Sequence, residues 1–238
     1  MSTALDIQRS LSKYANPDRV SRTSSFFKSA PGQYGSGDLF LGITVPNCRL
    51  VAKLYTDISL SELTEILHSK WHEERETALF ILVSKYKKAD TSTRKIIYNF
   101  YLAQTAWINN WDLVDLSARD IVGWHIFDHP ECNGDLDRLA KSSNLWEKRI
   151  AMVATWYFLT HGDNKPTERI ALILLDDPHD LIRKAVGWML REMGKRVDTQ
   201  LLIDFLSTTY KSMPRTTLRY AIEHFDPETR QKYIKGTL

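Results

Sequence analysis

The sequence predicts an all-α protein, a right-handed superhelical solenoid of antiparallel helix pairs. Apolar residues recur at helical spacing along most of the 238 residues, and strand-like alternation is almost absent. Breaks that contain proline or glycine separate these periodic segments. Four segments can also be aligned on one another, with equivalent positions 40, 34 and 34 residues apart. This is the period of stacked helical pairs.

The N-terminal part is predicted to contain three helices and a loop. The helices are expected at about 7–15, 17–28 and 45–56. The glycine-rich segment 29–46 between them does not form a dinucleotide-binding fingerprint, because no strand precedes it and no βαβ unit follows. We therefore expect a mobile loop near one end of a single domain, in which residues 1–58 precede the stacked pairs of 59–238.

From Ser59 onward, the periodic segments come in pairs joined by short turns, as stacked repeats require. Ser59 is predicted to cap the first of these helices, because carboxylates follow it within two turns. The further helices are predicted at about 74–89, 92–106, 110–126, 134–142, 145–160, 166–175, 179–195, 198–209, 214–224 and 227–235.

Composition excludes several classes of protein. No apolar run is long enough to span a bilayer, and the first residues lack the basic and apolar regions of a signal peptide. Cys48 and Cys132 form neither a disulfide framework nor a metal-binding spacing, so we expect a cytoplasmic protein without metal or cofactor. The net charge is +3, but residues 179–238 contain 11 Lys and Arg against 7 Asp and Glu. This excess is compatible with a basic binding face or with a solvated edge of the solenoid.

One of the four aligned segments carries a charge reversal. Asp115 stands where the other three have Arg75, Arg149 and Arg183. Repeats reuse one scaffold, so a reversed charge at an equivalent position indicates a task other than packing. Asp115 also follows Trp111 by four residues, which places the carboxylate and the indole on one helical face. This pair is therefore the candidate for chemistry. The segments are residues 71–78, 111–118, 146–151 and 180–185.

The predicted helix 179–195 carries a basic stripe interrupted by an indole. Lys184, Trp188, Arg191 and Lys195 recur at helical spacing, apart from an apolar stripe on the same helix. Cations around an aromatic side chain are typical of a surface that meets phosphates and a base or sugar. The simpler alternative is that Trp188 only covers the edge of the core.

Other polar residues have more than one interpretation. Arg149 opens an apolar helix, where it either holds carboxylates of the preceding repeat, with Asp115 as a natural partner, or binds a phosphate in a bidentate manner. Asp112 is expected only to complement a helix dipole. The histidines, His72 among them, show no metal-ligand spacing and are expected to be caps or surface residues.

At these same residues the sequence resembles the bacterial DNA alkylation repair family, the AlkD-like DNA glycosylases built of HEAT-like repeats. Several separate motifs occur in the right order over nearly the whole chain. The resemblance places the catalytic aspartate on Asp115, two tryptophans on Trp111 and Trp188, and an active-site arginine on Arg149. The best-known type has an N-terminal tyrosine near the lesion, where this chain has Phe26 and Phe27. The motifs are Phe40–Ile43, Tyr86–Lys88, Trp111–Asp115, Asn144–Arg149, Lys184–Glu192 and Arg219–Glu223.

The resemblance implies a monomeric, monofunctional DNA glycosylase that excises cationic N3- or N7-alkylpurines from double-stranded DNA at the nucleoid. Asp115, Trp111 and Trp188 would form the catalytic group. Arg149, Lys184, Arg191, Lys195 and Phe26 would contact DNA. Two alternatives stay open: a catalytically silent paralogue that binds damaged or branched DNA, and a protein-interaction scaffold of HEAT type. An excision assay separates the first alternative from the enzyme, and the trio of Trp111, Asp115 and Trp188 argues against the scaffold.

Overall fold

The computed structural model describes residues 2–237 and is all-α, as the sequence predicted. Within this range there is no β-strand, and Leu39 and Trp71 form only an isolated parallel bridge. None of the described helices combines the length and the apolar character that crossing a bilayer requires. The architecture is one of successive helical repeats.

The helices follow one another closely along the chain. A π-helical turn at Arg119–Gly123 joins α7 to α8, and a short 3₁₀ helix at Pro130–Cys132 precedes α9. The α-helices are α1 (Ala4–Ser12), α2 (Pro17–Phe26), α3 (Val45–Leu54), α4 (Leu60–Leu67), α5 (His72–Lys88), α6 (Thr91–Ala103), α7 (Trp111–Ala118), α8 (Trp124–Asp128), α9 (Asn133–Ala140), α10 (Leu145–Leu159), α11 (Lys165–Leu174), α12 (Asp180–Arg196), α13 (Thr199–Thr209), α14 (Arg215–Ala221) and α15 (Pro227–Lys235).

Most predicted boundaries agree with the structure to within a few residues, and the first helix is the main difference. It begins at Ala4 rather than near residue 7, because Thr3 and Asp6 form a capping box. The Thr3 hydroxyl accepts a hydrogen bond from the backbone N–H of Asp6, and the Asp6 carboxylate accepts one from the N–H of Thr3. These two bonds satisfy N–H groups that a helix start otherwise leaves unpaired.

The chain divides after Ser117 into two compact units. In the first unit α5 packs against α3, α4 and α6, and α1 packs against α3 and α4. The apolar faces of these helices are fully buried. The prediction of one domain over the whole chain stays a prediction. Buried side chains of this unit include Ile7, Leu11, Val51, Leu63, Ile66, Leu79 and Leu82.

In the second unit one row of helices makes successive contacts. The π turn packs against α10, α10 against α12, and α12 against α14, while α9, α11 and α13 pack against members of this row. Two glycines allow the close approach. A Cβ on Gly123 would overlap the carbonyl oxygen of Ala154, and one on Gly187 would overlap that of Thr217. Glycine is therefore required at both crossings.

The glycine-rich segment is tied to α5 by buried polar contacts. The Glu73 carboxylate accepts hydrogen bonds from the backbone N–H groups of Leu41, Gly42 and Ile43, at 3.0, 2.8 and 3.2 Å. The N–H of His72 donates to the carbonyl of Leu39 at 2.8 Å. Residues 39–43 are thus held by hydrogen bonds that sequence reasoning did not foresee, because their acceptor lies 30 or more residues away. The mobility of the whole segment stays a prediction.

Candidate functional site

Trp111 and Asp115 lie one turn apart at the beginning of α7. The side-chain oxygen of Asn110 accepts a hydrogen bond from the N–H of Trp111 at 2.9 Å, which helps to start the helix. Both Trp111 and Asp115 are only half-buried, whereas Leu113 and Val114 between them are fully buried. The i, i+4 pair therefore lies on the side of α7 that does not face the core.

Two phenylalanines at the end of α2 pack on Trp111. The rings of Phe26 and Trp111 meet edge to face with centroids 5.7 Å apart, and Phe27 stacks on the same indole at 5.5 Å. Phe26 is 63% exposed although it belongs to an aromatic cluster. The resemblance assigned Phe26 to contact with DNA, and that role stays a prediction. A phenyl ring offers stacking surface without the hydroxyl of a tyrosine.

Beside Trp111, a buried ionic network joins the glycine-rich segment to the starts of α5 and α7. His72 contacts two carboxylates, Asp38 through Nδ1 at 3.2 Å and Asp112 through Nε2 at 2.7 Å. A guanidinium nitrogen of Arg75 donates to Asp38 at 2.6 Å, and the amide of Asn110 donates to the same carboxylate at 3.2 Å. His72 is thus neither a cap nor a surface residue, and Asp112 does more than complement a helix dipole.

The charges of this network shift its pKa values. Burial lowers the pKa of His72, but the charge of Asp112 and the hydrogen bonds to Asp112 and Asp38 outweigh burial and raise the pKa to about 9. Burial raises the pKa of Asp38, yet its hydrogen bond to His72 and the charge of Arg75 leave this pKa below its ordinary value. At neutral pH His72 is therefore an imidazolium held between carboxylates.

A second buried acid lies close to the network and escaped sequence reasoning. Burial, reinforced by the charge of Asp112, raises the pKa of Glu76 on α5 to about 7. The neighbouring Cys48 on α3 is fully buried, and burial together with the charge of Glu76 raises the pKa of its thiol. Cys48 is therefore a protonated thiol and not a nucleophile.

Asp115 acts electrostatically on the core beneath it. The hydroxyl of Tyr101 is fully buried and lies 2.9 Å from Ser117 Oγ. Burial raises the pKa of Tyr101, and the charge of Asp115 adds to this increase. Asp115 therefore lies close enough to Tyr101 for its negative charge to disfavour ionisation of that hydroxyl.

In the second unit Trp188 lies on α12 and is half-buried. The predicted separation of two stripes on this helix is confirmed: Ile182, Ala185, Val186, Met189, Leu190 and Met193 are fully buried. Lys184 and Arg191 are half-buried and Lys195 is exposed. Lys184 pairs with Asp180 at 2.7 Å, and Arg191 contacts Glu223 and Glu192. Trp188 also meets the edge of Trp156, with centroids 5.2 Å apart.

Arg149 is buried at the beginning of α10 and donates to the carbonyl of Leu181 at 2.8 Å. Next to it, Lys148 Nζ lies 2.7 Å from the carboxylate of Asp177. Both contacts tie the start of α10 to the start of α12. Arg149 thus bonds to a backbone carbonyl of the following repeat, and its expected contact with carboxylates of the preceding repeat stays a prediction.

Among the predicted site residues, Phe26 and Trp111 meet within the first unit, and Asp115 lies one turn from Trp111. The second unit contains Arg149, Lys184, Trp188, Arg191 and Lys195. Sequence reasoning missed His72, although it follows Trp71 as Asp112 follows Trp111 in the aligned segments. It also missed Trp156, which follows Arg149 by seven residues on the same helix face. No group of three or more His, Cys, Asp or Glu side chains within residues 2–237 is arranged to hold a metal ion.

Comparison with known proteins points to one family. The sequence matches the family model described as "DNA alkylation repair enzyme" over residues 7–225. A search of curated proteins finds no match. A solved structure from Enterococcus faecalis, described as a predicted DNA alkylation repair enzyme, is similar with a TM-score of 0.70 and 15% sequence identity. The similarity covers 90% of this chain and 97% of the other. At this identity the second comparison concerns the fold alone.

Proposed function

Because the chain belongs to the family of DNA alkylation repair enzymes, we propose that it is a monofunctional DNA glycosylase. Family membership supports a role in the repair of alkylated DNA. The proposed reaction is the excision of cationic N3- and N7-alkylpurines, such as 3-methyladenine and 7-methylguanine, from duplex DNA in the cytoplasm, at the nucleoid. The observation that carries the proposal is the accessible pair of Trp111 and Asp115 at the start of α7.

The substrate's own charge explains why so few groups are needed. A purine alkylated at N3 or N7 is cationic, so it leaves the sugar as a neutral base and needs no general acid. As the glycosidic bond breaks, positive charge develops on the deoxyribose ring. The Asp115 carboxylate would stabilise that oxocarbenium character electrostatically. It would also orient the water that attacks C1′ and accept its proton.

Aromatic side chains favour the same substrate. The faces of Trp111 and, as proposed, Trp188 carry partial negative charge, which attracts a cationic nucleotide. The exposed ring of Phe26 beside Trp111 extends the apolar surface that a sugar or base would cover. Lys184, Arg191 and Lys195 are proposed to bind phosphates, with help from Arg149. The protein would act as a monomer and needs no cofactor for this chemistry.

The test is release of 7-methylguanine and 3-methyladenine from methylated duplex DNA under single-turnover conditions. We expect the wild type to excise both bases and Asp115→Asn to lose about 10²- to 10³-fold in rate while binding DNA nearly as well. Asp204→Asn, on the exposed surface of α13, removes the same charge elsewhere and is the matched control. A neutral lesion such as hypoxanthine should be released far more slowly than 7-methylguanine.

The alternatives give different results in the same assay. A wild type that binds duplex DNA but releases no cationic purine is a DNA-binding paralogue rather than a glycosylase. A wild type that binds no DNA indicates a protein-interaction scaffold. Equal release of hypoxanthine and 7-methylguanine would contradict the proposed mechanism, because the leaving group would then require an acid.

A further inference from the structure

In the second unit, two guanidinium groups lie against one indole. Trp156 on α10 is half-buried and meets the edge of Trp188. The Cζ atom of Arg119, in the π turn, is 5.1 Å from the centroid of the Trp156 ring, and that of Arg196, at the end of α12, is 5.5 Å from it. We call Trp156, Arg119 and Arg196 together the Trp156 shelf.

Packing alone does not account for this arrangement. A cation over an exposed aromatic ring contributes only about 0.5–1 kcal/mol, and two cations at one ring repel each other. The side chains of Arg119 and Arg196 remain 37% and 38% exposed. Their distances from one centroid also mean that the two Cζ atoms lie at most about 11 Å apart. The shelf is therefore a local concentration of positive charge that solvent can reach.

Nearby carboxylates orient the guanidinium groups without using all their donors. The buried carboxylate of Glu192 accepts from Arg196 Nε at 2.7 Å and contacts Arg191 at 3.4 Å. Asp120 lies 3.8 Å from Arg119, beyond hydrogen-bond distance. A guanidinium has five N–H donors, so each arginine keeps N–H groups for another acceptor. Glu192 thus holds Arg196 in position, and both carboxylates partly balance the positive charge of the shelf.

Two donor atoms of the shelf are also buried without an acceptor. Neither Trp156 Nε1 nor Arg119 Nε has a hydrogen-bond partner among residues 2–237. A buried donor without a partner is costly. These two donors are shielded from solvent, so a ligand would reach the shelf through the exposed guanidinium N–H groups. Those groups also only donate, so the complementary ligand is one that offers acceptors. Phosphate oxygens are such acceptors, and their geometry suits bidentate contacts with arginine.

We propose that the Trp156 shelf binds backbone phosphodiesters of DNA, with Arg119 and Arg196 on the phosphate oxygens and the indoles of Trp156 and Trp188 against the adjoining sugar. The inference rests on the proposed function in that DNA is the substrate. It adds a phosphate-binding site outside the basic stripe of α12. With Cζ atoms no more than about 11 Å apart, the arginines reach one phosphate or two successive ones.

The test is the salt dependence of binding to an undamaged, fluorescently labelled duplex, measured by anisotropy. For Arg119→Gln/Arg196→Gln we expect roughly 60-fold weaker binding near 0.1 M salt, because losing two phosphate contacts lowers log K by about 1.8 at that concentration. The slope of log K against log[salt] should fall by about 1.8, since each lost phosphate contact removes about 0.9. The control Arg138→Gln/Arg169→Gln removes two guanidinium groups from α9 and α11 that are 57% and 38% exposed. It should leave the slope unchanged.

If the double variant does not fold, a single substitution tests the same site. Arg196 is the last residue of α12 and as exposed as Arg169, so Arg196→Gln and Arg169→Gln form a matched pair. The Arg196 variant should lower the slope by about 0.9 and the Arg169 variant should not. A slope that changes no more in the shelf variants than in the controls overturns the inference.

Excision by the wild type tests the proposed function, and the salt slope of the shelf variants tests the phosphate-binding site. If the wild type excises 7-methylguanine but the shelf variants keep the wild-type slope, the inference fails and the glycosylase proposal stands. If the wild type excises nothing but the shelf variants lower the slope, the shelf is a DNA-binding site of a non-catalytic protein. If the wild type binds no duplex DNA, both are overturned.

Discussion

His72 Nε2 lies 2.7 Å from a carboxylate oxygen of Asp112, joining the first residue of α5 to the second residue of α7. The second unit repeats this arrangement, since Lys148 at the start of α10 pairs with Asp177 just before α12 at the same distance. An ion pair between the starts of alternate helices thus occurs in each unit. In the first unit the ion pair of His72 and Asp112 also helps to position Trp111, the residue before Asp112.

Replacing His72 by Gln should destabilise the protein in a pH-dependent way. The pKa of folded His72, about 9, lies above its ordinary value of 6.5. The stabilisation from its charge is therefore complete below pH 6.5 and is lost as the pH rises through 9. We expect His72→Gln to lower the free energy of unfolding by about 3 kcal/mol at pH 6 and by much less at pH 10, as urea denaturation would measure.

His68→Gln is the control for this experiment. His68 is exposed, stacks on Trp107 with centroids 4.4 Å apart and bonds to Gln104. Its replacement should cost less than about 1 kcal/mol at either pH. A loss at His72 that is the same at pH 6 and pH 10 would mean that the imidazole only fills space.

Glu76→Gln should stabilise the protein at alkaline pH. The pKa of folded Glu76, about 7, lies above its ordinary value of 4.5, so the favourable contribution of the protonated acid is complete below pH 4.5 and lost as the pH rises through 7. Glutamine cannot ionise. Between pH 4.5 and pH 8 the stability of the variant relative to the wild type should therefore rise by about 3 kcal/mol. Glu65→Gln, on the exposed face of α4, is the control and should show no such rise. If the difference in stability between Glu76→Gln and the wild type is the same at pH 4.5 and pH 8, the pKa of Glu76 is not raised.

Gly42→Ala and Gly32→Ala should separate backbone strain from steric overlap. Both glycines have left-handed backbones, with φ of +74° and +79°. A Cβ on Gly32 would meet no atom within 4 Å, whereas one on Gly42 would overlap the carbonyl oxygen of Asn16. Gly32→Ala should cost about 1–2 kcal/mol of unfolding free energy and Gly42→Ala more than about 3 kcal/mol. Equal losses of unfolding free energy in thermal or urea denaturation would show that the start of α2 shifts at little energetic cost.

The basic stripe of α12 should contribute to DNA affinity. Lys184→Gln/Lys195→Gln is expected to lower the slope of log K against log[salt] by roughly 1.8 for a duplex. Lys232→Gln/Lys235→Gln on α15 removes equal charge and, like the first variant, breaks one i, i+4 ion pair. An equal change of slope in both double variants would indicate a general effect of net charge.

Local sequence patterns were enough to predict the helices and to place Trp111 and Asp115 on one helical face. A helix start depends on hydrogen bonds between neighbouring residues, so Asn144 before α10 and Asp226 before α15 mark those starts directly. A shared face depends only on the helical repeat, so the spacing of Trp111 and Asp115 predicted that they lie one turn apart on the same helix. Burial of the apolar stripe of α12 followed from the same periodicity.

Which polar side chains are buried together depends on how the helices pack. Asp38 and His72 are 34 residues apart, and His72 and Asp112 are 40 apart, so no local pattern specifies their contact. The raised pKa values of His72 and Glu76 depend on desolvation and on neighbouring charges, which exist only after the helices pack. For the same reason the sequence did not distinguish Trp156 from the other residues of its apolar helix. It is the packing that places Arg119 and Arg196 at its ring.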